Sequence, residues 1–384
     1  MDVIYLDENA SATPLALAGK RASEWLMGPA SNASSVHSRG RRARGAIEQS
    51  RQAVARSLKV NSRHLTFTSG ATESIHTVIT GVLGPQDHVL VSAVEHPAVW
   101  GALEQSGASF DIVPVDREGL IDPKDFQRLR RPNTRLGIMM AAQNETGTIY
   151  PTREVADHLG EVPLFVDAVQ AYGKVELFLE ETGATYATLS GHKVGAPQGV
   201  GVIWCKEGAP FDPMMRGGAQ ERGRRAGTEN VAAIVGLGVA ANEIRARVEK
   251  MRLVRALREQ MRDEFTSIGV DHIEVIGAFS SSADEDLSPS WRAHAQLPNT
   301  IKLITPQVAG DLLLQQLDLD GFCLSSGSAC SSGALELSPV LLALGRSDHE
   351  ASRGLRISMG VDSTESDAHS FIRCLKKHLA PREG

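Results

Sequence analysis

The chain has 384 residues, 42% hydrophobic and 22% charged, with a formal net charge of -6 at neutral pH. This is the composition of an ordinary globular protein, and its acidic balance argues against a general nucleic-acid binder. No apolar run approaches the ~18 residues of a membrane-spanning helix, and Met1-Asp-Val-Ile-Tyr-Leu-Asp7 lacks the basic and apolar segments of a secretory leader, so no membrane partner is expected and the cytoplasm is the expected compartment. Four cysteines are too few for a disulfide framework. Cys323 and Cys330 have no second Cys or His pair at metal spacing, so no metal is expected.

In chain order, Val36 to Leu58 reads as a long helix with Ala43, Ile47, Val54 and Leu58 on its apolar stripe, and Ser38-Arg-Gly-Arg-Arg-Ala-Arg44 as a solvated face. From about residue 64 to 205, strand-like runs (His64–Ser69, His88–Ala93, Phe110–Val115, Leu136–Ala141, Leu164–Val169, Tyr186–Leu189, Val200–Cys205) alternate with amphipathic segments. That alternation predicts an α/β fold with a mostly parallel sheet and helices on both faces. Thr228 to about Ile268 is helical in pattern from a Thr-Glu-Asn cap. Fresh strand signals at His272–Ile276, Asn299–Leu303, Phe322–Ser325 and Leu355–Ser358, with a closing helix from Asp367 to His378, predict a smaller α+β domain. The expected division is a large domain over 13–255 and a small one over 256–384, which the N-terminal segment 1–12 joins. Phe279 to Ser290 is polar, acidic and aperiodic, and is expected to be a mobile surface loop.

Lys193 falls between the run Tyr186–Leu189 and a glycine-rich turn ending at Gly201. Most lysines are merely solvated. Here Leu164-Phe-Val-Asp167 delivers a carboxylate at the end of a buried parallel strand, and Leu65-Thr-Phe-Thr-Ser-Gly70-Ala-Thr72 turns from a strand into a helix whose N-terminus suits a phosphate. An amine for a Schiff base, an acid for a pyridinium nitrogen and a phosphate cradle are the three needs of a pyridoxal phosphate site. Taken alone, Ser69 or Thr72 reads first as a helix cap with Glu73 in its first turn, and only the three groups together point to the cofactor.

Further polar groups sit at ends of strand-like runs, where ligands of open α/β sheets gather. His96 in Glu95-His-Pro97 can stack on a planar ring and move protons, or be a satisfied loop histidine. The amide of Asn144 can fix a carboxylate, or serve a turn. Gly217 to Thr228, rich in Gly and Arg, reads as an anion or subunit contact, or as a flexible loop. Cys330 lies in a small-residue, glycine-rich stretch without core neighbours, the setting of a reactive thiol. Arg356, at a strand, suits a bidentate grip on a carboxylate.

With these residues in view, the chain resembles the cysteine desulfurases of the NifS/IscS type, pyridoxal-phosphate enzymes of the class-V aminotransferase fold, a PLP-dependent transferase fold of type I. The resemblance runs from Tyr5-Leu-Asp7 to Leu355-Arg-Ile-Ser358. Its most specific motifs are Ser190-Gly-His-Lys193, Val166-Asp-Ala-Val-Gln170, Ser69-Gly-Ala-Thr-Glu-Ser74, Arg225-Ala-Gly-Thr228 and Ser326-Gly-Ser-Ala-Cys330. It implies that Lys193 holds the cofactor, Asp167 pairs with the pyridinium nitrogen and Gln170 bonds the phenolic oxygen. It also implies phosphate contacts from Ala71, Thr72, Ser190 and His192, with Thr228 lent by a partner subunit. His96 would stack on the ring, Asn144 and Arg356 would hold the substrate carboxylate, and Cys330 would take the sulfur. Two positions depart from the usual family pattern: Glu8 reads as an insertion, and Gly195-Ala196 stand where Tyr-Gly is common.

The expectation that results is a homodimer with shared active sites that converts L-cysteine to L-alanine, places a persulfide on Cys330 and supplies sulfur to an acceptor such as an iron–sulfur scaffold. Selenocysteine lyase or a class-V aminotransferase on the same fold is the alternative enzyme, and a non-catalytic cofactor-binding partner the alternative from another class.

Overall fold

The computed structural model describes residues 3–269, 272–277, 291, 293–327 and 337–379. Seven strands form the main sheet, in the order Leu65–Thr68, Gly201–Cys205, Tyr186–Ser190, Leu164–Asp167, Thr134–Met140, His88–Ser92, Ser109–Val113. Neighbours are parallel except Gly201–Cys205, which is antiparallel to both of its partners. The sheet is therefore mostly parallel, as the alternating runs predict.

Apolar side chains of the central strands alternate between two cores, the period-2 consequence of the pleat. Phe165, Val89 and Val91 face the helices Ala71–Val82 and Pro97–Ser106, whereas Leu164, Val166 and Leu90 belong to the core shared with the helix Ser38–Leu58. Since both faces are covered, the central strands read as continuous Val/Ile/Leu runs.

The C-terminal part builds a separate antiparallel sheet, Glu274–Ile276, Thr300–Ile304 and Gly354–Ser358. Met251, Phe265, Leu313, Phe322 and Phe371 fill its core together with Leu6 from the N-terminal segment. Ile4–Tyr5 pairs with Phe322–Cys323 in a two-stranded sheet of its own, and a bridge from Asp7 to Ser358 fixes the start of the chain beside the three-stranded one.

The helical stretch expected from Thr228 differs from the single pattern read in the sequence. It begins at Val231, capped by Asn230, whose Oδ1 accepts from Ala233 N (3.2 Å), and breaks at Glu243 into Val231–Asn242 and Ile244–Ile268. The two halves have different destinations. Val231–Asn242 is apolar on most faces and buried in the large core, and Gly238 lets it approach Ser50 so closely that a Cβ would lie 2.6 Å from the hydroxyl. Ile244–Ile268 has one apolar stripe, with Met251, Val254, Met261 and Phe265 in the second core. Among the described residues, no helix is long and apolar enough to cross a membrane.

Candidate active site

The C-terminal ends of the parallel strands open onto a cavity of about 510 Å³. Lys193 reaches it from the 3₁₀ turn Gly191–Lys193 that follows Tyr186–Ser190. Its Nζ donates to the carbonyls of Asn9 (2.6 Å) and Ala10 (2.7 Å), so the N-terminal segment holds the amine in place. Asp167 ends the neighbouring strand and accepts from Val169 N (3.0 Å) through Oδ1. Burial raises its carboxyl to about 6, against the opposing pulls of that N–H and the Lys193 charge.

On the opposite wall the helix Ala71–Val82 points its N-terminus at the cavity, with Ala71 and Thr72 in its first turn lining the space. Unsatisfied N–H groups and the helix dipole suit such a helix start to an anion. Close packing shapes it: a Cβ on Gly201 would lie 2.5 Å from the Gly70 carbonyl carbon, so only glycine lets the turn sit against the strand. Glu73 accepts from Arg225 Nε (2.8 Å) and Ser69 N (2.8 Å). Burial alone would raise its carboxyl, but those two partners outweigh it and hold it below the usual range. Ser190 and His192 line the same end. Burial, then the charges of Lys193 and Lys174, push the His192 imidazole down to about 4.

His96 caps the helix Pro97–Ser106, its Nδ1 accepting from Ala98 N (3.1 Å). Burial and the Lys193 charge lower it to about 4, so at neutral pH it is an uncharged ring with its proton on Nε2. Arg356, 2% exposed, donates through Nη2 to Asp7 Oδ1 (2.7 Å) and through Nη1 to Asn144 O (3.4 Å), while its buried Nε has no partner among the described residues. Asn144 and Gln170 complete the lining.

Ten of the expected site residues thus surround one cavity. Thr228 is exposed and outside it, and Cys330 lies outside the described residues, as does the polar stretch 279–290. The Gly/Arg-rich loop is fixed by its own contacts. Glu221 is buried there in a left-handed conformation (φ 46°), accepts from Phe67 N (2.7 Å) and is paired with Arg51 through two hydrogen bonds of 2.7 Å.

Several residues of the site have no distinct sequence signature. Asn9 is a hub: its carbonyl accepts from Lys193 and Gln170 Nε2 (3.0 Å), its Oδ1 from Lys174 Nζ (2.7 Å), and its Nδ2 donates to Asn144 O (3.0 Å) and Thr300 Oγ1 (2.9 Å). Lys174 is 1% exposed and also donates to Gln170 Oε1, which leaves the Gln170 amide NH₂ as a donor. Burial, then the Lys193 charge, lowers it well below an ordinary amine. Its spacing from Gln170 is the one available signal. Glu8, the apparent insertion, accepts from Thr13 N (2.9 Å) and Thr13 Oγ1 (2.5 Å). Thr13 in turn lies against Gly195, where φ is +81° and a Cβ would sit 3.0 Å from Thr13 O, so the two departures from the family pattern meet in one contact.

Residues 4–371 match the aminotransferase class-V family model. The cysteine desulfurase IscS of Dictyoglomus turgidum is 36% identical, over 97% of this chain and 94% of that protein. A solved NifS-like protein superposes with a TM-score of 0.86 at 28% identity, covering 98% of this chain and 99% of its own. A structure described as SspA in complex with cysteine superposes with a TM-score of 0.75 at 27% identity, covering 94% and 100%. The chain belongs to the aminotransferase class-V family, and its relatives place it among the cysteine desulfurases.

Proposed function

We propose that this chain is a cysteine desulfurase in which Lys193 holds pyridoxal 5'-phosphate, L-cysteine gives up its sulfur to Cys330, and L-alanine leaves. The observation that carries the reading is the convergence of Lys193, Asp167 and Arg356 on one cavity.

The residues fit the cofactor. The helix start at Ala71 and Thr72, with Ser190 and His192, suits its phosphate, Asp167 its ring nitrogen, the second N–H of Gln170 Nε2, whose first donates to Asn9, its phenolic oxygen, and uncharged His96 a face of its ring. When bound, the cofactor supplies a covalent attachment for the substrate amine and a sink for electrons. Asp167, at about 6, is largely ionised at neutral pH, and a positive ring nitrogen beside it would lower it further.

Arg356, fixed by Asp7, offers its guanidinium to the substrate carboxylate. Asn144 supports the same group. The Lys193 amine, kept near Asn9 and Ala10, can take and return a proton at Nζ, and His96 can donate one at Nε2. The Cys330 thiolate forms a bond to the substrate sulfur as the carbon–sulfur bond breaks. The carbon keeps the electron pair and is protonated to alanine, and Cys330 is left as a persulfide.

The proposal extends to assembly and delivery. Thr228 sits on an exposed loop outside its own cavity, which supports a homodimer whose subunits exchange this residue. A persulfide needs an acceptor, and a sulfur-receiving protein such as an iron–sulfur scaffold is the proposed partner. The test is alanine formed from L-cysteine, and sulfide released from the persulfide by an added thiol reductant, for the parent and for Lys193→Ala. The parent is expected to be yellow, to carry a borohydride-reducible cofactor bond and to release alanine, and the variant to do none of these. A variant that keeps the reducible bond contradicts the lysine assignment.

A further inference from the structure

We infer that the buried Glu145–Lys302 pair is a positioning device for the segment that carries Cys330, tethering both of its ends beside the substrate-binding residues. The inference rests on the proposed role of Cys330 as sulfur acceptor.

Lys302 lies in the middle of the strand Thr300–Ile304 and is fully buried. Its Nζ donates to Glu145 Oε2 (2.7 Å) and to the carbonyl of Ser326 (2.6 Å). The same Glu145 oxygen accepts from Ser338 Oγ (2.7 Å), and Ser338 also caps the helix Pro339–Ala343 by accepting from Leu341 N (3.1 Å). Gly327 packs directly on the carboxylate, since a Cβ there would fall 2.5 Å from Oε2. The pair therefore touches residues 326, 327 and 338, which flank Cys330 on its two sides. The adjoining residue is fixed as well. Ser325 exchanges backbone hydrogen bonds with Arg356 and donates through Oγ to Asp7 Oδ1 (3.0 Å), the oxygen that also holds the Arg356 guanidinium.

Two physical points favour positioning over plain stability. A fully buried ion pair is often no more stabilising than apolar side chains of the same volume, because both charges lose their hydration. Burial indeed lowers the Lys302 amine, with Glu145 opposing that shift and the Arg356 charge adding to it. The contacts are also selective: beyond each other, the two side chains bond to the two ends of a single segment. Chain length makes the tether effective. Cys330 is three residues past Gly327, a span of at most about 10 Å when extended, so a fixed Gly327 bounds where the thiol can go. Glu145 follows Asn144 directly, which joins the tether to the substrate-carboxylate site.

The test separates the two halves of the reaction in single-turnover experiments on the cofactor-loaded protein. Binding of L-cysteine is read from the change in the cofactor's visible spectrum, and sulfur transfer from the persulfide at Cys330 by mass spectrometry. Glu145→Gln, and the double variant Glu145→Leu/Lys302→Met that leaves no lone buried charge, are expected to keep the spectral change. Both should slow persulfide formation on the order of 10- to 100-fold, the scale for misplacing a reacting group by about 1 Å. Ser338→Ala keeps the charge pair, removes one tether and carries the same expectation where the other variants do not fold, with Ser338→Thr restoring the rate. Parent-like persulfide rates in these variants, or equal loss of both half-reactions, overturn the inference. A parent protein that binds L-cysteine yet never carries sulfur on Cys330 overturns the underlying reading instead.

Discussion

Glu95 is a carboxyl in the core beside the site, and replacing it by Gln makes a measurable difference to how stability depends on pH. Its Oε1 accepts from Ser92 Oγ (2.5 Å) and Met140 N (2.8 Å), while Oε2 is buried without a partner among the described residues. Burial is the main cause that raises it from an ordinary 4.5 to about 8, and the charge of Asp167 adds to the shift against the two hydrogen bonds. Below about pH 4.5 folded and unfolded chains both carry the proton. Between about 4.5 and 8 only the unfolded chain releases it, so stability falls as pH rises and levels off above about 8. At about 1.4 kcal/mol per pH unit, the full effect is at most about 5 kcal/mol. Glu95→Gln keeps an oxygen for both donors and never ionises. Urea denaturation at intervals from about pH 5 to 8 should show a steep decline in the parent and a flatter one in the variant, with a shared residual slope near Asp167, which titrates at about 6. Parallel curves would refute a neutral Glu95.

Gly201→Ala places a methyl group 2.5–2.7 Å from the Gly70 backbone, so a loss of about 1–3 kcal/mol in urea midpoint and weaker cofactor retention on dialysis are expected. Retention equal to the parent's would show that the turn at Gly70 does not form the cradle. Arg51→Met removes the partner of Glu221, whose side chain is 3% exposed, and leaves that charge buried. A cost of about 3–5 kcal/mol is expected by thermal or urea unfolding, and less than about 1 kcal/mol would mean that water reaches the site.

Where a site residue follows directly from a regular element, the sequence showed it. Asp167 ends an apolar run that no other face of the fold could host, and Lys193 and Thr72 follow strand-to-turn transitions marked by glycine. The sheet was legible for the same reason, because strands buried on both faces read as mostly apolar runs with few charges to blur them. Residues that act through the backbone or through distant partners were not legible. Asn9 gathers contacts from Asn144, Gln170, Lys174 and Lys193 and from the second sheet, partners set by tertiary packing and not by any local period. Lys302 sits in a strand whose other residues are buried, where a charge usually marks the solvent side. Its acid, Glu145, is far away in sequence and reads as part of a turn. The break at Glu243 was hidden because no Gly or Pro marks it in the sequence, and only the separate cores of the two helices require the change of direction.

The central claim is that sulfur passes from L-cysteine to one thiol of this chain. The most direct measurement is mass spectrometry of the protein after a single turnover with L-cysteine, with alanine counted in the same sample, for the parent, Cys330→Ser and Cys323→Ser. Cys323 is half-buried in the short strand paired with Ile4–Tyr5, and burial raises its thiol, which disfavours the thiolate there. The account predicts one persulfide on Cys330 per alanine in the parent and in Cys323→Ser. It predicts an intact spectral response to L-cysteine in Cys330→Ser, but neither persulfide nor alanine above background. Alanine released by Cys330→Ser near the parent rate would contradict it and favour a lyase or aminotransferase in its place.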